Sequence, residues 1–357
     1  MARVTLADVA RAAGVSRATA SLVARKSPLV SDNTRDRVEQ VMADLDYVHN
    51  LAAARMRTPA SRMVGVILPS LANPFFAEML TGIESVLDAA GRVAIIANTH
   101  DSPNKQAAFM QRMREHVVDG VILCPAADTE PQLLDRARQW HLPLVQALRY
   151  ISRDSGDYAG TDYADGMRQA TAHLVALGHR RIAFVSGRQR HSAHAERLQG
   201  FRSTLQAHGL ADDCVLHIEL TYEQGHHAAA TLLRLPQPPT AAICFNDVVA
   251  LGLLRGLQEF GVTPGTDFSV VGFDDIAEAA RATPSLSSVA NFPLAIGQSA
   301  AQLLLRRLET PDRDDERIIH PTRLAIRDSC IPASAAPIAA GSQRPGTVDD
   351  IDAKRLD

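Results

Sequence analysis

Three short stretches between Thr5 and Asn50 carry apolar residues at helical spacing, and beyond Arg62 the pattern changes to short apolar runs alternating with longer amphipathic segments. Leu6, Val9, Ala10 and Ala13 recur at i, i+3, i+4 and i+7, which predicts a first helix with one buried face. Gly14 ends it, and Ser16 caps a second helix, roughly Arg17 to Arg25, that turns Ala20 and Val23 inward. A third helix starts near Asp32 after a Ser31 cap and buries Val38, Val41, Met42 and Leu45.

After residue 62 the apolar runs predict strands at Val64–Leu68, Val93–Ala97, Gly120–Cys124, Pro143–Gln146, Arg181–Ser186, Thr240–Phe245 and Phe268–Gly272, with helices such as Phe75–Ala90 and Gly166–Leu177 between them. Strand and helix in alternation call for parallel sheets covered on both faces, an α/β body. Ligands of such bodies bind beyond the carboxyl ends of the strands. Asn73, Phe75 and Phe76 fall there after the first strand, Arg149 after the fourth, Asn246 and Asp247 after AAICF, and Asp274 and Asp275 after SVVGF.

Composition narrows the class. The 357 residues, 46% apolar and 22% charged, suit two or three folding units of an ordinary globular protein. The apolar runs are too short to span a bilayer and nothing before Val4 resembles a signal peptide, so a cytoplasmic location is expected. Cys124, Cys214, Cys244 and Cys330 are scattered without metal-binding spacing and are read as core or surface thiols. The net charge of −3 conceals an asymmetry: residues 1–62 carry ten Lys/Arg against six Asp/Glu, and the remainder 27 against 34. A basic head on an acidic body suits a head that meets phosphate.

Two helices joined by a tight glycine turn suit a helix-turn-helix, whose second helix enters the major groove; a three-helix bundle with a merely solvated polar face is the alternative. On that face Arg17 has the geometry for a bidentate pair with guanine, whereas Ser16, Thr19, Ser21 and Arg25 suit phosphates. Thr5 and Leu6, at the start of the first helix, complete the candidate DNA contacts of the head.

VTLADVARAAGVSRATAS, VSDNTRDRV and DYVHN followed by LAAARMRT make residues 4–58 resemble the head of the LacI/GalR family of bacterial repressors. The resemblance continues to about residue 330 through NPFF, DGVIL, HLVALGHRRIAFVSG, ERLQGF, CFND and VVGFDD. It implies a helix-turn-helix head over 1–49, a hinge helix and linker over 50–61, and a two-lobed body resembling periplasmic binding proteins over 62–332. The first lobe would comprise 62–161 and 292–321, the second 162–291 and 322–332.

In this family the base-reading positions map to Arg17, Ala18 and Leu22, where Leu22, Arg25 and His49 depart from the commoner residues. The hinge would run from Asn50, with Met56 as a minor-groove wedge between Arg55 and Arg57, or be a plain linker in the free chain. Phe75, Arg197, Asn246 and Asp274 are implied effector contacts, joined by Asn73 and Arg149. An Arg149 without a partner would favour a sugar acid or sugar phosphate. An Arg149 paired with Asp274 or Asp162 would only shape the cleft.

The cleft inventory lacks a nucleophile, base and oxyanion set, so no enzyme, cofactor or metal is expected. His191 and His194, like His226 and His227, are read as surface histidines. Residues 333–357 are expected to form a disordered tail without a heptad repeat, and a dimer is the expected assembly. The reading is thus a sequence-specific DNA-binding regulator, a repressor in the first instance, with operator DNA and a carbohydrate, sugar acid or sugar phosphate as partners. A transport-type binding protein would not need residues 1–58, and a nucleotide-using enzyme would show a glycine-rich phosphate loop where LPSLANPFF stands.

Overall fold

The computed structural model describes residues 4–25, 27–47, 61–187 and 190–333. The chain divides into two units, residues 1–61 and 62–357. In the first, α1 (Leu6–Ala12), α2 (Arg17–Ala24) and α3 (Asp32–Asp44) enclose Val9, Ala10, Ala13, Ala20, Val23, Val30 and Val38. Thr5 opens α1 through a capping box with Asp8: each side chain bonds the other's backbone N–H, at 3.4 Å into Thr5 Oγ1 and 3.0 Å into Asp8 Oδ2. Gly14 takes φ +63°, a conformation that L side chains rarely adopt, and turns the chain between α1 and α2. Ser16 Oγ accepts from Thr19 N at 3.0 Å and fixes the start of α2. Ser31 stands at the start of α3 but does not cap it with its side chain, because its hydroxyl donates to Thr34 Oγ1 instead.

The second unit contains two six-stranded sheets. The first comprises β1 (Met63–Leu68), β2 (Val93–Asn98), β3 (Gly120–Leu123), β4 (Leu144–Ala147), β5 (Asp157–Thr161) and a late strand, Arg317–His320, in the order late strand, β5, β4, β3, β1, β2, all parallel. The second comprises β6 (Ile182–Gly187), β7 (Val215–Ile218), β8 (Ala241–Cys244), β9 (Ser269–Asp274), β10 (Ser287–Ala290) and the short strand Arg323–Ala325. The late strand is β11 and the short one β12. The order in the second sheet is β12, β10, β9, β8, β6, β7, and only the β12 pairing is antiparallel. The chain thus passes between sheets after β5, after β10 and after β11.

Parallel neighbours require crossovers, which the helices supply. Flanking the first sheet are α4 (Pro74–Ala89), α5 (Pro103–Glu115), α6 (Gln132–Gln139) and α12 (Pro293–Glu309). The second is flanked by α7 (Tyr163–Ala176), α8 (Ser192–Ala207), α9 (Tyr222–Leu233), α10 (Asp247–Glu259) and the short α11 (Ala277–Arg281). Sequence patterning missed β5, β7, β10, β11 and β12. DYAGT and SSVA contain no sustained apolar run, yet both are wholly buried, with small residues beside the one large side chain, Tyr158. Among the described residues no helix is long and apolar enough to cross a membrane.

Two interactions show how the first lobe is tied together. Asp157, with no side-chain exposure, accepts from Arg307 Nε at 2.9 Å and from the Glu316 backbone N–H at 2.9 Å, and pairs with Arg313 Nη2 at 2.8 Å. It pins the connection after α12 to β5. Helices α4 and α12 meet backbone to backbone: a Cβ on Gly82 would lie 2.1 Å from Leu294 O, and one on Gly297 would lie 2.1 Å from Met79 O. Gly297→Ala should therefore force the helices apart and lower unfolding free energy by about 1 to 3 kcal/mol in urea titration; an unchanged midpoint would mean the crossing has room the packing does not show.

Candidate functional site

On the head, α2 presents Ser16, Arg17 and Ala18 to solvent, with Thr19, Ser21 and Leu22 half-buried. Among the described residues the Arg17 side chain has no hydrogen-bond or ion-pair partner, so its guanidinium is uncommitted. The other candidates are more constrained than sequence suggested. Leu22 packs against the head's core, Thr5 and Ser16 serve as caps, and Arg25 folds back so that Nε donates to Ser21 O at 3.1 Å. Leu6 is half-buried on the same core. Asn50, Arg55, Met56 and Arg57 lie outside the described residues, as does the tail from residue 334.

In the body, the carboxyl ends of strands from both sheets enclose a cavity of about 550 Å³. Asn73, Phe75, Phe76, Arg149, Arg197, Asn246 and Asp274 all line it. Asp247 and Asp275, placed at the same strand ends by sequence, turn away. Asp247 is fully buried and accepts from Ile276 N and Ser288 Oγ, while Asp275 pairs with Arg327 Nη2 at 2.7 Å.

Four of the eleven non-glycine residues with positive φ among the described residues lie at this cavity. His100, Asp101, Leu148 and Asp274 line it with φ of 51°, 57°, 63° and 114°, each a position following or ending a strand. Such conformations cost free energy and persist where surrounding bonds hold them.

Asp274 is held on both oxygens: Asn73 Nδ2 donates to Oδ2 at 3.3 Å and Asn291 Nδ2 to Oδ1 at 3.1 Å. Burial raises its pKa from 3.8 to about 6, against the opposing effects of the Arg197 charge and the two amide donors. Asn73 also accepts from Phe75 N at 3.0 Å and so caps α4; Asn246 likewise caps α10 by accepting from Val249 N at 3.0 Å. Both asparagines are thereby fixed in orientation by the helices they start.

Arg197 is buried, and its guanidinium carbon lies 4.0 Å from the Tyr163 ring centre, 4.2 Å from Phe273 and 4.3 Å from Phe245. The three rings supply attraction to the cation where no carboxylate forms an ion pair among the described residues. Nη1 donates to Ala193 O at 3.3 Å, and burial pulls the pKa down.

Arg149 does have a carboxylate partner, but neither Asp274 nor Asp162. Nη1 bonds Asp101 Oδ1 at 2.6 Å and Pro125 O at 3.1 Å. Asp101 follows β2, so the strand-end rule, extended to that strand, finds it. Tyr163 and Phe245, which carry Arg197, gave no signal in sequence because aromatic residues at those spacings look like ordinary core.

The surface reading of the histidines needs correction for two of them. His191 lines the cavity, and its Nδ1 accepts from His194 N at 3.1 Å, which leaves the ring proton on Nε2. Burial, with Arg149, Arg197 and His194 nearby, drives its pKa far down, so the ring is neutral. His194 stacks near Phe245, with ring centres 6.5 Å apart. His226 pairs with Glu259 at 2.8 Å and His227 is exposed. No cluster that could hold a metal ion occurs among the described residues. The cysteines are free thiols: Cys124, Cys214 and Cys244 are buried, Cys330 half-buried, and Cys124 lines the cavity.

The two lobes are also bridged by direct hydrogen bonds between residues outside the cavity lining. Tyr150 donates from its backbone N–H to Ser192 Oγ at 2.9 Å and from its hydroxyl to Glu196 Oε1 at 2.7 Å, and Asp128 N donates to Arg190 O at 3.0 Å.

Comparison with known proteins agrees with this geometry. Residues 5–50 match the family model for bacterial regulatory proteins of the lacI family, and 171–330 match a periplasmic binding protein-like domain. The HTH-type transcriptional repressor PurR of Vibrio atlanticus is 31% identical over 326 residues, spanning 89% of this chain and 96% of that protein. The chain belongs to the LacI family. Catabolite control protein A of Priestia megaterium is also 31% identical, over 91% of this chain and 99% of its own length. Among solved structures, a lac repressor dimer bound to operator and the anti-inducer ONPF superimposes with a TM-score of 0.83 at 26% identity, covering 92% of this chain and all of that one. A CelR–cellobiose complex does so with a TM-score of 0.70 at 31% identity, over 92% of this chain and all of that one.

The chain is accordingly a DNA-binding transcription regulator with a ligand-binding body, and not an enzyme. Its α/β two-lobed architecture with a helix-turn-helix head is that of the family.

The buried Asp274 makes a pH-dependent contribution with a definite sign. Its folded-state pKa lies above the unfolded one, so its stabilising effect is full below the unfolded pKa and is lost as pH rises through about 6. The stability difference between wild type and Asp274→Asn, followed by urea titration, should shift in the variant's favour by about 2 to 3 kcal/mol between pH 4 and pH 8. A difference that stays constant with pH would place the Asp274 carboxyl in the ordinary range.

Proposed function

We propose that this LacI-family regulator is a cytoplasmic homodimeric repressor that reads a near-palindromic operator through α2 and answers to a neutral, hydroxyl-rich ligand, a carbohydrate, in the cavity of its body. The observation that carries the ligand assignment is the Arg149–Asp101 pair. With Arg149 neutralised and Arg197 held by three rings, the two lining arginines face three carboxylates, Asp101, Glu219 and Asp274. Such a lining offers no surplus positive charge to a sugar acid or phosphate. It does offer what a sugar needs: an acceptor pair in Asp274, oriented donors, and the apolar faces of Phe75, Phe76 and Phe245.

The DNA reading rests on exposed, uncommitted Arg17 and on its neighbours Ser16 and Ala18, with Thr19, Ser21, Leu22 and Arg25 along the same helix and Thr5 and Leu6 beside it. Guanine recognition by arginine uses two parallel donors, which Arg17 has free. Asn50, Arg55, Met56 and Arg57 would add hinge contacts. Dimerisation is supported by the edge strand β2, where Val93 and Ile96 are 65% and 49% exposed, and by the dimeric assembly named for the lac repressor neighbour. On this reading the head spans 1–49, the hinge 50–61 and the body 62–332.

A thermal-shift screen against neutral sugars, sugar acids, sugar phosphates and nucleobases tests the ligand class: saturable stabilisation by a neutral sugar is expected, and a response confined to anions would overturn the assignment. Operator selection from random duplexes, followed by Arg17→Ala, tests the head. The variant should lose about 1 to 3 kcal/mol of discrimination at one base pair per half-site while non-specific binding changes little. Equal losses on specific and random DNA would remove Arg17 from the base-reading set.

A further inference from the structure

Asp101 brings a negative charge to the cavity wall. It lies in the loop after β2, its backbone in the left-handed region, and its Oδ1 accepts both from Arg149 Nη1 at 2.6 Å and from the Ala127 backbone N–H at 3.1 Å. Both partners are themselves fixed. Arg149 is 8% exposed and also donates to Pro125 O, while Ala127 belongs to the connection between β3 and α6. One carboxylate oxygen therefore ties together the loops that follow β2, β3 and β4, all on the cavity's first-lobe side.

A structural brace would need only an acceptor at this point. An asparagine side chain supplies the same oxygen, tolerates the left-handed backbone and fits the same volume. The negative charge is additional, and it sits against the one lining arginine that is not sandwiched between aromatic rings. Removing the charge while keeping the oxygen would leave a guanidinium that is nine-tenths buried, still positioned by Pro125 O, and facing the ligand space without a counter-ion. A buried unpaired arginine is costly, and an anionic ligand would relieve it.

We infer that Asp101 is a specificity-determining residue: by holding Arg149 as an internal ion pair, its carboxylate excludes anionic ligands from the cavity and reserves it for neutral ones. This rests on the neutral-ligand reading proposed above and adds to it the residue that enforces the choice. The selectivity works by occupation. An incoming carboxylate or phosphate would have to displace Asp101 from Arg149 and would leave two negative groups in one enclosed space, a repulsion that a neutral hydroxyl does not meet.

The test uses inorganic phosphate as a generic anion together with matched pyranoses, glucose with glucuronate and galactose with galacturonate, titrated by calorimetry into the full-length protein at constant ionic strength. Asp101→Asn should bind phosphate at least about tenfold more tightly than wild type, the size expected for one additional charge-assisted hydrogen bond. Asp101→Asn combined with Arg149→Met should lose that increase, and a cooperative unfolding transition with unchanged far-ultraviolet circular dichroism of Asp101→Asn, at a lower melting temperature, would show that the fold is kept. Phosphate affinity equal in wild type and Asp101→Asn would overturn the role of Asp101 while leaving the neutral-ligand reading in place. A wild-type preference for the uronates over their neutral parents would overturn that reading itself, and the inference with it. Should Asp101→Asn fail to fold, Arg149→Met in the wild-type background decides: anion exclusion by Asp101 predicts no increase in phosphate binding, and an increase would sink the idea.

Discussion

Charge buried at the meeting of two parallel sheets is the constraint on which the body depends. Every strand around the cavity ends there, so loop backbone, helix starts and polar side chains are forced into a space shielded from water. An isolated charge in such a place costs several kcal/mol, and each one present is compensated in a different way. Arg149 has a carboxylate, Arg197 has three aromatic faces, and Asp274 has two amide donors and an elevated pKa. Left-handed backbone at His100, Asp101, Leu148 and Asp274 is the geometric counterpart, since loops must turn sharply to bring those groups inward. The helices carry part of the load as well: Asn73 and Asn246 place polar atoms at the cavity because each is the residue that starts its helix.

How much of this could be read from the chain depended on whether a feature was written in one segment or shared between distant ones. The head was legible because its three helices, its glycine turn and its Ser16 cap are local. The parallel sheets were legible where a strand was an apolar run, as in MVGVIL or AAIC, and lost where a buried strand mixes polar and small residues, as in DYAGT and SSVA. Asn73, Phe75, Arg149, Asn246 and Asp274 could be assigned to the cavity by one topological rule, that ligands meet the carboxyl ends of strands. The partners of those residues could not. Asp101 is 48 positions from Arg149, and Asn73 is 201 from Asp274, so neither pair leaves a periodic trace. His191 shows the same limit from the other side: a histidine in a polar HSAH stretch reads as exposed, and only the fold reveals that its Nδ1 is used as a helix cap.

The bonds between the lobes bear on how a ligand could be sensed at all. Tyr150 to Ser192, Tyr150 to Glu196, Asp128 to Arg190 and Asn73 to Asp274 are direct links between the two lobes. A single such bond contributes about 0.5 to 1.5 kcal/mol net, more when a charge is involved. Four of them sum to roughly 2 to 6 kcal/mol, at or above the coupling free energy of about 1 to 3 kcal/mol typical between regulatory sites. A ligand shifts a two-state equilibrium only by its differential affinity for the states. A ligand that changes the arrangement of the lobes must therefore make contacts that differ between the two arrangements by an amount comparable to these cross-links. Arg149 and Tyr150 are consecutive in the chain, as are Glu196 and Arg197. Each lining arginine is thus the immediate neighbour of one end of the Tyr150–Glu196 link, which places the ligand-facing groups and the bond between the lobes on the same two segments of chain.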